Sequence, residues 1–458
     1  TTAGGGAYSY SGGTVFKVKD GGVQTLYSFC AQSNCTDGAG PTDGLVLGDD
    51  GNFYGTTSAG GAYNGGTVFK ITPSGSLTTL YSFCAQPNCT DGEYPEAKLL
   101  LGSDGNFYGT TYWAGANANN LLYDDGGGTV FKITPSGNLT TLYSFCSQTN
   151  CVDGDSSLGG LIQAPDGTFY GTTTAGGTGL LCTGACGTIF NLTSTGTLTT
   201  LYNFCSERLC TDGGIPMAGL LLASNGSFYG TTNFYGTSGA YGTAFVLAPT
   251  GQFNTLVNFC YGLGCEGSNP SGGLIQGTNG KLYGATGLYT KTGCLSSEDR
   301  GGCGTIFSLT EAGSLNTLFS FCVPQGKQAP ISFNCRDGAG PLGGIMQATN
   351  GNFYGVTMFG GAFNAPDGDG TVFEYSAGLR PFVTFVRANG TVGQTVGILG
   401  QGFTGTTSVS LNGSTMIFTV VSDTFLQAKI PAGATTGVVT VTTPAGTLTS
   451  NVVFNVLP

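Results

Sequence analysis

Histidine is absent from the 458-residue chain, and its absence removes much of enzyme chemistry. No imidazole can act as base, proton shuttle or metal ligand, so Ser-His and Cys-His nucleophiles are excluded. Charge is scarce as well. Only 9 % of residues are charged, 14 basic against 25 acidic, giving a formal net charge of −11. So few cations cannot neutralise a run of phosphates, which argues against nucleic acid as a partner. No apolar run reaches the ~18 residues that a membrane-spanning helix needs. Helical periodicity is missing, and with it the strand–Gly-loop–helix setting of phosphate and dinucleotide fingerprints. No cofactor is expected.

Glycine is what the chain has in excess. Its 83 residues are roughly 18 % of the total, against a usual ~7 %. They follow no Gly-X-Y period, which excludes collagen. Apolar residues at 40 % and aromatics at 11 % can fill a core, so the chain is not a disordered polyelectrolyte.

The 16 cysteines fall into eight close pairs. Five have the spacing Cys-x4-Cys: Cys30/Cys35, Cys84/Cys89, Cys146/Cys151, Cys205/Cys210 and Cys260/Cys265. The others are Cys182/Cys186, Cys294/Cys303 and Cys322/Cys335. Zinc is the rival reading, but zinc knuckles use four ligands, commonly at x2 spacing and often with His. Eight local disulfides account better for the recurring spacing, and they imply an oxidising compartment. The chain starts at Thr1 with small polar residues and shows no signal peptide, which reads as a mature, cleaved form.

Self-similarity organises the sequence. A Gly-Thr-Val-Phe element recurs seven times, its Phe being Phe16, Phe69, Phe131, Phe190, Phe245, Phe307 and Phe373, 53 to 66 residues apart. Each unit has four segments in order. An apolar one (Leu45-Val46-Leu47) is followed by an Asp/Asn-Gly turn and a strand (Asn52–Thr57). A variable Gly-rich loop leads to Gly66–Ile71, and a Pro73-Ser74-Gly75 turn leads to Leu77–Tyr81. Short segments rich in Val, Ile, Thr, Tyr and Phe, punctuated by Gly, Asn, Asp and Pro, are strands joined by tight turns. Units of about 60 residues with four antiparallel strands predict propeller blades. An open solenoid of the same units is the alternative. The expected fold is all-β: a seven-bladed propeller over residues 1–378, then a small β-sandwich over 379–458.

The third segment occurs seven times, and so does the fourth if Pro381-Phe382-Val383-Thr384 is counted as its last copy. The first segment and the full second segment occur six times. Thr1–Gly5 aligns with Thr57–Gly61, so the first blade is predicted to lack its leading strand and most of the next. Bare sheet edges invite pairing.

Both parts resemble known families. The segments NFYGTT, GGTVFKITPSG and LTTLYSFC resemble the Gly-rich YGTT tandem repeats of secreted bacterial proteins, the GloVer-type repeat, over residues 1 to about 378. In the tail, Gly400-Gln401-Gly402-Phe403, Leu411-Asn412-Gly413 and Pro431–Gly437 resemble an IPT/TIG domain, an immunoglobulin-like fold. The resemblance implies a bacterial protein secreted to the exterior or the cell surface. It transfers no catalytic residue. The repeat is altered in the fifth unit, where Cys265-Glu266-Gly267 replaces Cys-Thr-Asp-Gly, and in the seventh, which has no cysteine pair.

Candidate sites compete with structural readings. Asp37, Asp91, Asp153, Asp212 and Asp337 each precede a Gly after a cysteine pair. A catalytic carboxylate pair would be unique in the chain, whereas a recurring Asp caps a turn. Asp50-Gly51 and its equivalents mark hairpin turns. Asp124-Asp125-Gly126 and Asp367–Gly370 are the densest loops that could hold Ca²⁺. Phe53/Tyr54 and their equivalents point to opposite faces of a strand and pack between blades. Tyr112, Trp113 and Tyr123 lie in an inserted loop, as do Phe234 and Tyr235, and are candidates for ligand or subunit contact. The expectation is a non-enzymatic extracellular protein that binds copies of itself in a filament or array. A polysaccharide-binding propeller is the second reading. A polysaccharide-cleaving enzyme using carboxylates such as Glu298, Asp299 or Glu311 is the third.

Overall fold

A computed structural model describes residues 1–8, 12–19, 21–117, 126–179, 186–237, 241–260, 267–287, 304–322, 335–361 and 370–457. The chain is all-β, with short 3-10 turns and no α-helix among the described residues. Its repeats fold as separate antiparallel sheets of the β-propeller type. The first has two strands, Thr14–Lys19 and Gly22–Ser28. Five four-stranded sheets follow, and the second of the series shows their plan: Val46–Leu47, Phe53–Thr57, Thr67–Ile71 and Leu77–Ser82, paired in chain order. The seventh has three strands, Met346–Gln347, Phe353–Thr357 and Thr371–Tyr375.

The register explains the repeat motif. Gly55 lies opposite Phe69, and a Cβ on Gly55 would come 2.8 Å from Phe69 Cζ. The Phe ring thus lies over a residue that can have no side chain. Gly109 under Phe131 and Gly171 under Phe190 repeat the arrangement. Beside it, Thr57 and Thr67 face each other with their hydroxyl oxygens 2.8 Å apart, and Thr67 N–H donates to Thr57 Oγ1 at 3.2 Å. Equivalent pairs are Thr111/Thr129, Thr173/Thr188, Thr232/Thr243, Thr286/Thr305 and Thr357/Thr371. A Thr there satisfies its polar atoms within the sheet, so it can be buried.

Successive sheets pack face to face through apolar side chains. Tyr54, Val68 and Phe83 of the second meet Leu99, Phe107, Phe131 and Ile133 of the third. Tyr54 stacks on Phe107 with ring centroids 4.0 Å apart, and Tyr108 meets Phe169 at 4.3 Å in the next junction. The adjacent Phe and Tyr of each strand therefore serve opposite junctions, as their alternation predicts. At the Asp-Gly turns only the glycine is left-handed, as at Gly51 (φ 77°). Gly51 N–H donates to the Gly48 carbonyl and Gly48 N–H to that of Asn52, a tight turn closed by a glycine bulge.

The tail is built on two further four-stranded sheets. One runs in the order Thr384–Phe385, Thr395–Leu399, Phe425–Lys429, Ile417–Ser422; the other in the order Ser414–Thr415, Ser408–Leu411, Val439–Thr443, Gly446–Thr449. They share one apolar core that includes Ile398, Phe403, Val409, Leu426, Val441 and Phe454. The segment Pro381–Thr384, expected as the fourth strand of the seventh repeat, belongs elsewhere. Val383 sits in the tail core, and Thr384 pairs with Leu399. A fully buried Val383 and a paired Thr384 gain more from the tail than from an exposed outer edge.

The tail also touches the seventh sheet at one side and the second and third at the other. Gln401 Nε2 donates to Thr349 Oγ1 of the seventh repeat at 2.9 Å. Arg387 reaches the Ser103 carbonyl of the third repeat at 3.1 Å and Asp49 of the second at 3.3 Å. One small module can do this only if the row curves back on itself.

Candidate functional site

The recurring carboxylates form a structural corner. Asp37, fully buried, accepts from the Tyr27 hydroxyl at 2.8 Å, Ala31 N–H at 3.0 Å and Gln32 N–H at 3.2 Å. Asp91 and Asp153 do the same with Tyr81, Ala85 and Gln86, and with Tyr143, Ser147 and Gln148. Asp212 accepts from Tyr202 and Ser206, and Asp337 from Cys322 N–H. The next residue is glycine because a Cβ on Gly38 would come 2.8 Å from Thr57 Cγ2. These five residues thus tie the end of one strand to the start of the next repeat, as the turn-cap reading expects.

Disulfides close the same corners. Cys30–Cys35, Cys84–Cys89, Cys146–Cys151, Cys205–Cys210 and Cys322–Cys335 are bonded. In each x4 loop of this set both cysteines are left-handed, as at Cys30 (φ 61°) and Cys35 (φ 52°). That conformation is uncommon for a residue with a side chain and costs of order 1 kcal/mol or more. Bonded sulfurs offer no thiolate, so Cys84 and Cys89 beside Glu93 do not make a zinc knuckle. The remaining three pairs include Cys182, Cys265, Cys294 and Cys303, which lie outside the described residues.

The corner perturbs its tyrosines. Burial, the hydrogen bond to Asp37 and its charge push the Tyr27 hydroxyl well above its ordinary value. Tyr81 and Tyr202 are raised in the same direction, and Tyr143 is pushed up to about 12. Tyr54, bonded to Asp50 of a hairpin turn and not to a corner, is raised likewise. Asp104, in a hairpin turn, behaves oppositely. Burial pushes its carboxyl up, but Lys132 Nζ at 2.7 Å, Asn106 and the Tyr108 hydroxyl outweigh that and hold it at about 2. The turn side chains of this set are engaged by their own hairpins.

The aromatic candidates lie differently from expectation. Trp113 and Phe234 are not loop tips. Each follows the second strand of its sheet and bridges the corner segment, Trp113 with Glu93 and Phe234 with Gly214. Ala59, Ala175 and Phe359 fill the equivalent place. Trp113 is half-buried between Tyr94, at 5.2 Å and edge-on, and Tyr112, at 5.4 Å. Tyr94 is left-handed (φ 54°) where the equivalent Gly40 and Gly340 are glycines. Burial, then Glu96 and Asp155, raise the Tyr112 hydroxyl, and burial alone raises the Glu96 carboxyl. Tyr235 is exposed. Tyr123, the loops Asp124-Asp125 and Asp367–Asp369, and Glu298 and Asp299 lie outside the described residues. Glu311 accepts from Gln276 Nε2 at 3.3 Å.

Sequence reasoning found the incomplete first sheet but not the open outer edge of the seventh or the exposed faces of both. Among the described residues, Thr371–Tyr375 has no strand on its outer side, where each four-stranded sheet has one. Met346, Val356 and Val372 of the seventh sheet and Val18 and Val23 of the first are exposed. Val356 carried a signal, because the other units have Thr or Ala at that position.

The sequence profile of the Gloeobacter/Verrucomicrobia repeat matches residues 1–220 and 183–421. The chain belongs to this repeat family. The second match runs past residue 378 into the tail. No curated protein matches the chain. Among solved structures it is similar to a luciferin-regenerating enzyme, at 12 % identity and a TM-score of 0.42, over 75 % of this chain and 93 % of that one. It is also similar to the α-L-arabinofuranosidase of Fusarium graminearum in complex with an iminosugar inhibitor, at 10 % identity and a TM-score of 0.39, over 72 % and 90 %. A structural-genomics protein of unknown function from Bacteroides thetaiotaomicron is similar at 12 % identity and 0.38, over 74 % and 70 %. Likeness at this level carries nothing about activity in the repeat protein.

Proposed function

We propose that this repeat protein is a non-enzymatic structural protein of the cell exterior, which assembles with copies of itself into a filament or array. The outer edge of Thr371–Tyr375, unpaired among the described residues, carries the reading. The inner edge of the first strand beyond the Thr2–Thr14 bridge, in a sheet of two strands among the described residues, supports it. An extended segment from another copy can add to such an edge through main-chain hydrogen bonds, and completion of the first sheet is one form that contact can take. Two further observations point the same way. The recurring Asp, Tyr and Thr side chains bond one another and the backbone inside the fold, with Asp212 Oδ1 left without a partner, and disulfides at successive corners suit an oxidising exterior. Electron microscopy and light scattering of the purified chain test the proposal. Regular filaments or arrays are expected; a monodisperse monomer at all concentrations overturns it.

A second reading is polysaccharide binding at Tyr94, Tyr112 and Trp113. Three half-buried rings beside the Glu96 carboxyl favour it, since a sugar stacks on ring faces and hydrogen-bonds to carboxylates. Saturable binding on a glycan array, lost in Trp113→Ala, is the expected result; no binding to any glycan rejects it.

A further inference from the structure

The sheet junctions inside the chain repeat one another, so they define what a complete junction buries. Val68, Val130, Ile189, Ala244 and Ile306 occupy one register position on the face that meets the following sheet, and each is 0–1 % exposed. Val372 holds that position in the seventh sheet and is 37 % exposed. Thr56, Thr110, Thr172, Thr231 and Ala285 are buried, while the equivalent Val356 is 38 % exposed. Met346, on the innermost strand, is 60 % exposed.

The mating half of such a junction is also open, at the other end of the row. Ile71, Ile133, Leu192, Leu247 and Leu309 face the preceding sheet and are 0–2 % exposed. Val18, their equivalent in the first sheet, is 45 % exposed, and its pairing partner Val23 is 61 % exposed. The chain's own first and seventh sheets therefore do not cover each other. Two apolar faces of complementary type remain uncovered on one molecule, each shaped for a contact that the same chain already makes several times.

We infer that the open face of the seventh sheet seats the first sheet of a second copy, so that the row of sheets continues from chain to chain. The inference rests on the assembly reading above and specifies its contact. Its warrant is continuity with the internal junctions: Met346, Val356 and Val372 meet Phe16, Val18 and Val23 as Tyr54 and Val68 meet Phe131 and Ile133. Because the two faces differ, the contact is heterologous, and a heterologous contact that does not close on itself propagates.

Single charges test it, because Val18 and Val372 are exposed enough to accept Glu without burying it. Val372→Glu and Val18→Glu are made separately in the full chain, with thermal melting to confirm the fold. Each variant alone is expected to stay monomeric at concentrations at least ~10-fold above the wild-type assembly threshold, the effect of losing one central interface residue. An equimolar mixture is expected to give dimers and nothing longer, since only one pair of intact faces remains between them. Met346→Gln, at the most exposed position of the seventh-sheet face, is expected to raise the threshold without changing the melt. Wild-type-like assembly of both valine variants overturns the inference and leaves the assembly reading standing. A mixture without dimers overturns it also. A wild-type monomer overturns both.

Discussion

Arg387 donates from Nη1 to the Ser103 carbonyl oxygen at 3.1 Å, joining positions 284 residues apart. The same guanidinium lies 3.3 Å from Asp49 and is largely buried. Hydrogen bonds from a charged donor are worth about 1.5–3 kcal/mol, and the exposed Asp49 carboxylate adds little. Arg387→Ala should therefore lower stability by about 2 kcal/mol and expose the segment around residues 376–383 to protease. Arg387→Lys should recover only part, because a lysine has no planar fork. Chemical unfolding and timed proteolysis check both. Protease resistance equal to wild type in Arg387→Ala would remove the contact from the account.

Gly109 under Phe131 makes a sharper case. A Cβ there would come 2.6 Å from Phe131 Cζ, so Gly109→Ala should destabilise by about 1–3 kcal/mol through overpacking. Phe131→Leu in the same background should relieve part of that loss. A double-mutant cycle by urea unfolding measures the coupling; additive effects would mean that the ring does not impose the glycine.

Alkali should erode stability in a defined window. Burial raises the Tyr143 hydroxyl; Ser147 pulls it down and Asp153 pushes it up, leaving it at about 12. The folded value lies above the ordinary value of about 10. The stabilisation is thus complete below pH ~10 and is lost as pH rises through about 12. Phenolate absorbance should show one late-titrating group fewer in Tyr143→Phe, whose stability should fall less steeply over that window.

Acid acts on a different residue. The Asp104 carboxyl is held at about 2, below the ordinary carboxylate value, so its contribution is complete above pH ~4 and fades as pH falls toward 2. Asp104→Asn should flatten this part of the acid unfolding curve, and Lys132→Met should shift it upward. An unchanged curve in both variants would refute the assignment.

Reduction should cost a similar amount at each Cys-x4-Cys corner. Closing a loop of about six residues removes roughly 2 kcal/mol of chain entropy from the unfolded state. Cys84→Ser combined with Cys89→Ser should lower the melting temperature of the oxidised protein while leaving the Asp91 corner bonds in place. Melting with and without reductant, compared for the double variant and wild type, checks it. Identical oxidised melting curves would show that the bond adds nothing to stability.

Much of this architecture was legible because it is local. The strands follow from alternating apolar residues between turn formers. Tyr54 and Phe107 were assignable to junctions because neighbouring strand residues point apart. Asp37 was readable as a cap from its recurrence. The misreadings involve distant competition. Pro381–Thr384 carries the pattern of a repeat strand, yet Val383 is drawn into a core assembled from residues up to Phe454. Trp113 follows a strand ending and resembles a loop residue, but a backbone bridge to Glu93 fixes it. The exposure of Val372 was the least accessible, because nothing in its own repeat records whether another sheet follows.

The cross-tie made by Arg387 and Gln401 has a consequence for biosynthesis. Domains fold as they emerge, N-terminal parts first, so all the repeat sheets leave the ribosome before the segment that links their two sides. Until residue 401 is out, the row has its internal junctions and no complete brace. The curved form of the row is therefore braced only after synthesis has passed residue 401, late in the making of each chain.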